Sequence, residues 1–232
     1  RLAADLWQAR LLQAVGREDD IAVQEDLVKL NHEVPREFPP RVQAEADALP
    51  SAPQHADMAG REDVRALPLV TIDGADSKDL DDAVQIVPLE NGNVMLGVHI
   101  ADVGEYIREG AILDKEAYQR GTSVYFVDRV LPMLPEAISN GICRLNAGQD
   151  RFALSCVMEI NPRGQVVTAE ISESIINVER RFTYDTVNEI LQTQEFAEDP
   201  SYVDTFNDMR ALAKTLYNNR IERGALEFDL PE

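Results

Sequence analysis

Apolar residues recur along this chain with two different periods, and the change from one to the other organises it. Between Leu67 and Val178 they come in short runs and alternations, the period-two pattern of β-strands. LPLVTI (67–72) is a short strand candidate. AVQIVPL (83–89) and NVMLGVHIADV (93–103) flank Asn91-Gly92, a pair favoured in two-residue hairpin turns. RFALSCVMEI (151–160) and QVVTAEISESIINV (165–178) flank the turn NPRG and predict a second hairpin. SVYFVDRVLPMLP (123–135) reads as extended chain with proline stops, and LDKEAYQR (113–120) as a helix. After residue 180 the spacing becomes helical. TYDTVNEILQ begins at Thr183, a residue type that caps helix N-termini. Residues 201–223 predict a long helix, polar outside, that stops at Gly224. Strands first and helices last predict an α+β fold, a mostly antiparallel sheet with helices on one side.

The N-terminal portion is less regular. RLAADLWQARLLQAVG fits an amphipathic helix, yet Trp7, Ala9 and Leu11 alternate as in a strand. Residues 33–60 carry five prolines, with one short helical candidate around Arg41–Leu49. They read as a connector into a main domain that starts near Arg61, so the expected divisions are 1–27, 28–60 and 61–232.

Composition narrows the classes. The hydrophobic fraction of 44% supports a real core. The 232 residues suit one domain, or one plus part of another. The chain starts at Arg1 and stops just after ALEFDLPE, and is read as a piece of a longer protein. A net charge of −20 argues against a simple basic nucleic-acid-binding module. A nucleic-acid enzyme stays open, because metal ions and basic domains elsewhere would balance the charge. The two cysteines, Cys143 and Cys156, sit among apolar or small residues and read as buried free thiols in a reducing cytosol. No apolar run approaches the about 20 residues that cross a bilayer.

The chemistry concentrates in DGADSKDLDD, Asp73 to Asp82, which holds five aspartates and one lysine. Two carboxylates about 4 Å apart repel by about 4 kcal/mol at a typical effective dielectric, so such crowding calls for a positive partner. A solvated turn accounts for Asp73-Gly74. It accounts less well for Asp79-Leu80-Asp81-Asp82, which runs straight into an apolar strand where unpaired charge is costly. An EF-hand calcium loop fails on spacing: Ala75, Lys78 or Ala83 falls where a ligand is required. Clustered aspartates without a nearby histidine favour Mg²⁺ or Mn²⁺ over zinc. His32, His55 and His99 are scattered and read as structural or surface residues, His99 being the one worth following. Two metals held by aspartates serve phosphoryl transfer, one activating water and the other steadying the leaving oxygen.

TIDGADSKDLDDAV resembles the motif of the ribonuclease II/ribonuclease R (RNB) family of 3′→5′ exoribonucleases. HIADVGEYI (99–107), RGTSVYFVDRVLPMLPEAISNGICRLN (120–146) and RFTYDTV (181–187) follow in the family's order. NHEVPREFP (31–39) is similar to the family's lead-in, and RGALEFDLPE (223–232) to the bacterial ribonuclease R branch. The resemblance covers roughly residues 28–232. It implies a processive, cytoplasmic enzyme that hydrolyses single-stranded RNA to nucleoside 5′-monophosphates by two-metal catalysis. Its metal and catalytic residues would be Asp73, Asp79, Asp81 and Asp82, holding Mg²⁺ with Mn²⁺ as a substitute. Asp73 and Asp82 would hold the ion at the scissile phosphate, Asp79 and Asp81 would complete the site, and Asp76 stays outside the set. Tyr184 and Tyr125 would contact the RNA 3′ end, although on pattern alone each reads as a core or strand aromatic. The family also places cold-shock domains before this domain and an S1 domain after it, all OB-fold RNA binders. Residues 1–27 would then be the end of a cold-shock domain. The rest of the RNB domain, with a catalytic arginine and a base-clamping aromatic, would follow Glu232. Two rivals remain: a noncatalytic RNB relative that binds RNA or regulates, and an acidic α+β domain without an active site.

Overall fold

The computed structural model describes residues 9–11, 14–17, 19–35, 37–126 and 129–226. Two helices, α1 (Ile21–Asn31) and α2 (Pro40–Asp47), precede a 3₁₀ turn at His55–Met58. Then come β1 (Glu62–Asp63), β2 (Leu69–Asp73), β3 (Asp82–Pro88), β4 (Val94–Ala101), α3 (Val103–Tyr106) and α4 (Ile112–Arg120). A small hairpin, β5 (Val124–Tyr125) and β6 (Val130–Leu131), leads to a π-helical turn at Ile138–Ile142. Strands β7 (Asp150–Ile160) and β8 (Val166–Thr183) and helices α5 (Tyr184–Thr193) and α6 (Ser201–Glu222) complete the described chain.

Both hairpins form as the turn residues predict, with Gly92 and Gly164 at φ +82° and +73°, a region open to glycine at little cost. Strand order is β1-β8-β2-β3-β4-β7, and β7 also pairs with β8, so five of these strands close on themselves. The closing strand is β8, whose 18 residues run antiparallel to β7 in the first part and parallel to β2 in the last. Most pairings are antiparallel, as expected. The β2–β8 pairing joins residues more than a hundred positions apart, such as Thr71 with Arg181 and Asp73 with Thr183.

One face of the closed sheet is enclosed. It carries Leu69, Ala83, Ala101, Ala153, Ile176 and Val178, all buried, together with the buried polar residues Thr71, Gln85, His99, Ser155 and Ser174. His99 is fully buried, its Nδ1 lies 2.6 Å from Ser155 Oγ, and burial pulls its pKa down. It is therefore a structural histidine, while His32 and His55 are exposed. On the outer face, Phe182 of β8 meets Tyr202 and Phe206 of α6 at ring centroid distances of 4.8 and 4.9 Å, edge on. That contact docks α5 and α6 against β2 and β8.

The helices, expected on one side, fall into two groups. Val42 and Ala46 of α2 and Leu113 of α4 belong to the core of Leu69 and Val178, whereas α5 and α6 build the aromatic cluster. The connector read at 28–60 is thus packed onto the domain, and Arg120 of α4 stacks over Phe38 at 3.8 Å. Helix α1 runs across the division expected at residue 27. Trp7 and the other residues of 1–8 lie outside the described residues, as do Glu227–Glu232. Both cysteines are free thiols, but only Cys143 is buried. Strand alternation turns Ser155 inward and therefore Cys156 outward, to a half-buried place.

Candidate active site

The acidic stretch forms the β2–β3 connection at one end of the closed sheet. Asp73 is the last residue of β2 and Asp82 the first of β3. Between them the backbone is anchored at nearly every step. Ser77 N–H donates to the Gly74 carbonyl at 3.1 Å, and Ser77 Oγ to the Asp79 carbonyl at 2.9 Å. Leu145 N–H donates to the Leu80 carbonyl at 2.8 Å, and Ala101 N–H to the Asp81 carbonyl at 2.9 Å. Leu80 itself is 1% exposed. A buried apolar side chain between two acidic ones turns Asp79 and Asp81 outward, and both are exposed, as are Asp76 and Asp82. Asp73 is half-buried, and its Oδ2 is buried with no hydrogen-bond partner among the described residues.

The carboxylates act on one another. Burial pushes the Asp73 pKa up, Asp82 pushes it further, Arg181 pulls the other way, and Asp81 and Asp79 add to the rise. Partial desolvation by the surrounding loop, and then Asp81, raise the solvent-facing Asp79 and Asp82 as well, with Arg144 opposing the shift at Asp79. Desolvated neighbouring carboxylates repel, and each holds its proton more tightly. Among the described residues, no three His, Cys, Asp or Glu side chains stand close enough as a group to hold a metal ion. The donor chemistry nonetheless fits a hard divalent cation: oxygen ligands only, mostly open to solvent, with one buried carboxylate oxygen lacking a partner.

These shifts set a pH dependence. A carboxyl whose folded pKa lies above its unfolded value binds protons more tightly when folded, so it lowers stability above that folded pKa. Its penalty disappears below the unfolded value near 3.8. In EDTA, Asp73→Asn is therefore expected to raise the melting temperature at pH 7, with the gain shrinking to nothing as pH falls below that value. Thermal unfolding of both chains across pH 3–8 reads the difference. A loss of Tm at every pH would show that the Asp73 carboxylate is a structural acceptor instead.

Of the two tyrosines singled out, Tyr184 stands beside the acidic residues. It directly follows Thr183, which is in register with Asp73, and it is 60% exposed. Thr183 caps α5 by accepting a hydrogen bond from Thr186 N–H at 3.1 Å, a contact worth about 1 kcal/mol that fixes where β8 ends. Tyr125 is 69% exposed on the β5–β6 hairpin, which among the described residues no strand pairing joins to the main sheet. Neither is a core aromatic, although Tyr125 does sit on a strand, β5. Two residues that sequence reasoning passed over also reach the loop. Arg181 Nη2 donates to the Gly74, Ala75 and Ser77 carbonyls, and Arg144 Nη2 to Ser77. The available signal was an arginine inside RFTYDTV opposite so much negative charge.

Comparison with known proteins places this geometry. The family model described as RNB domain matches residues 61–232. The chain belongs to the RNB domain family. It is 46% identical over 227 residues to "Ribonuclease R 1" of Lactococcus lactis, covering 97% of this chain and 28% of that one. It is 42% identical over 228 residues to "Ribonuclease R" of Thermotoga maritima, covering 94% and 31%. Among solved structures it is similar to Mycoplasma genitalium RNase R in complex with ribose methylated single-stranded RNA, with a TM-score of 0.86 and 29% identity. That match covers 95% of this chain and 34% of the other. The chain thus spans about a third or less of the length of these relatives. Its RNB region starts where β1 begins to extend the sheet and includes the acidic loop and both tyrosines. Among the described residues, no helix is long and apolar enough to cross a membrane.

Proposed function

We propose that the complete polypeptide carrying this chain is a processive, cytoplasmic 3′→5′ exoribonuclease that hydrolyses single-stranded RNA to nucleoside 5′-monophosphates. The observation that carries this reading is the acidic loop at the end of an RNB sheet, with its backbone pinned and the buried Asp73 oxygen left without a partner. Asp73, Asp79, Asp81 and Asp82 would hold Mg²⁺, or Mn²⁺ in its place. Two such ions, when bound, supply an activated water and charge stabilisation of the leaving oxygen.

The chain's own residues prepare the site. Asp73 and Asp82 present carboxylates from adjacent strand ends. Buried Leu80 keeps Asp79 and Asp81 facing outward. Tyr184 offers an exposed ring next to Asp73 for the 3′-terminal nucleotides, and Tyr125 a second ring for the RNA end. Stacking on an aromatic is worth about 1–3 kcal/mol per base and tolerates any base, which suits an enzyme that degrades RNA without sequence preference. The cold-shock and S1 domains and the remainder of the RNB domain would belong to the same polypeptide. They would supply positive charge for the RNA backbone, the catalytic arginine and the base-clamping aromatic.

One observation favours a second reading. Among the described residues the carboxylates do not stand as a ready-made metal cage, an arrangement that a noncatalytic RNA-binding or regulatory relative would share. A gel assay on 5′-labelled single-stranded RNA, with Mg²⁺, with Mn²⁺ and with EDTA, separates the two. The complete polypeptide is expected to shorten the RNA from its 3′ end in either metal and to leave it intact in EDTA. Retarded but full-length RNA in every condition would establish the noncatalytic reading, and shortening in EDTA would remove the metal from the mechanism.

A further inference from the structure

The acidic loop is held from behind chiefly by one guanidinium. Arg181 Nη2 donates to the carbonyls of Gly74, Ala75 and Ser77 at 3.1, 3.2 and 3.2 Å. Residue 181 is in register with Thr71 on β2, two positions before the strand ends at Asp73 and Thr183. Its base is therefore fixed by the parallel β2–β8 pairing, and its tip reaches across to the turn that follows Asp73. Arg144, just past the π-helical turn, adds a longer bond of 3.5 Å to the same Ser77 carbonyl. Both cations engage backbone oxygens, so the carboxylates stay open.

Three carbonyl dipoles gathered beside four carboxylates are mutually unfavourable unless a cation joins them. Arg181 relieves that repulsion where it arises. It also fixes the path of the chain between Asp73 and Asp79, the stretch whose shape decides whether carboxylates on both sides meet at one place. We infer that Arg181 is a positioning residue for the metal-holding aspartates, with Arg144 as a weaker second support. This rests on the metal-site reading above.

Charge and contact can be separated, because a lysine ammonium ends one atom short of the arginine Nη2. Arg181→Lys keeps the charge and loses the reach. The experiment compares Arg181→Ala, Arg181→Lys and Asp81→Asn with wild type in the complete polypeptide. It reads kcat and KM on a single-stranded oligoribonucleotide across Mg²⁺ concentration, and thermal unfolding in EDTA. Both Arg181 variants are expected to lower kcat and raise the Mg²⁺ concentration for half-activity by about 10–100-fold, the usual effect of losing a group that orients metal ligands. KM for RNA should be unchanged. Wild-type kinetics in Arg181→Lys would overturn the inference, since charge alone would then suffice. A rise in KM alone would overturn it too, making Arg181 an RNA contact. If Arg181→Ala does not fold, Arg181→Lys carries the same comparison. Full activity in Asp81→Asn would remove the metal-site reading itself. An inactive Asp81→Asn beside a normal Arg181→Lys would remove only the positioning role.

Discussion

Asp81→Asn in the complete polypeptide is expected to slow RNA hydrolysis by at least about 10³-fold, matching the several kcal/mol that metal-borne charge stabilisation supplies to phosphoryl transfer. The fold should not change. The Asp81 side chain is exposed, and its backbone carbonyl is already taken by Ala101 N–H. An isosteric substitution at such a place moves stability by about 0.5 kcal/mol or less. The direction is even favourable, because the negative charge of Asp81 helps to raise the pKa of Asp73, Asp79 and Asp82. Removing one negative charge relieves its neighbours. Stability in EDTA should therefore hold or rise while activity collapses. Single-turnover rates over a Mg²⁺ series, beside melting curves in EDTA, measure both quantities. An unchanged rate would sink the assignment of Asp81. A rate loss matched by a fall in Tm would make the residue structural.

What could be read from the chain without its fold follows the range of the interactions involved. Asn91-Gly92 and NPRG predict their hairpins because a turn of four residues is a local problem, solved by φ > 0 at Gly92 and Gly164. Thr183 marks the start of α5 for the same reason, since the cap bond spans three residues. Closure of the sheet is another matter. It depends on β8 leaving β7 and continuing beside β2, a parallel pairing between residues near 70 and residues near 180 that no local pattern encodes. Helix α1 escapes because its apolar residues are mostly exposed, so no strong periodic face develops over 21–31. The site divides along the same line. Asp73, Asp79, Asp81 and Asp82 are legible because one short loop carries them all. Arg181 contacts that loop across 104 to 107 residues, so its role becomes visible only when β2 and β8 lie side by side. Exposure of Tyr125 and Tyr184 was equally hidden, because strand and helix starts ordinarily bury such rings.

The acidic loop owes its shape to an apolar residue, so Leu80→Ala is expected to damage both the fold and the site. Leu80 is 1% exposed, and its carbonyl takes the Leu145 N–H. Truncating a buried leucine costs about 2–5 kcal/mol through lost burial and the cavity left behind. In a chain of this size that lowers Tm by about 5–15 °C. The functional consequence follows from position. Without the buried side chain, the peptide between Asp79 and Asp81 is held by its carbonyl hydrogen bonds alone, and the outward aim of both carboxylates loosens. The concentration of Mg²⁺ that gives half-maximal activity should therefore rise by about 10–100-fold. Unlike Asp81→Asn, the variant still has every ligand, so a metal that binds only the ordered loop will pull it back by mass action. High Mg²⁺ should then recover both Tm and rate in Leu80→Ala, whereas in Asp81→Asn, whose Tm is not lowered, it should leave the rate low. Melting and single-turnover measurements over one Mg²⁺ series test this directly. If Leu80→Ala loses Tm but keeps the wild-type Mg²⁺ dependence, the loop's aim is set by Arg181 and the strand ends, and Leu80 serves the core alone.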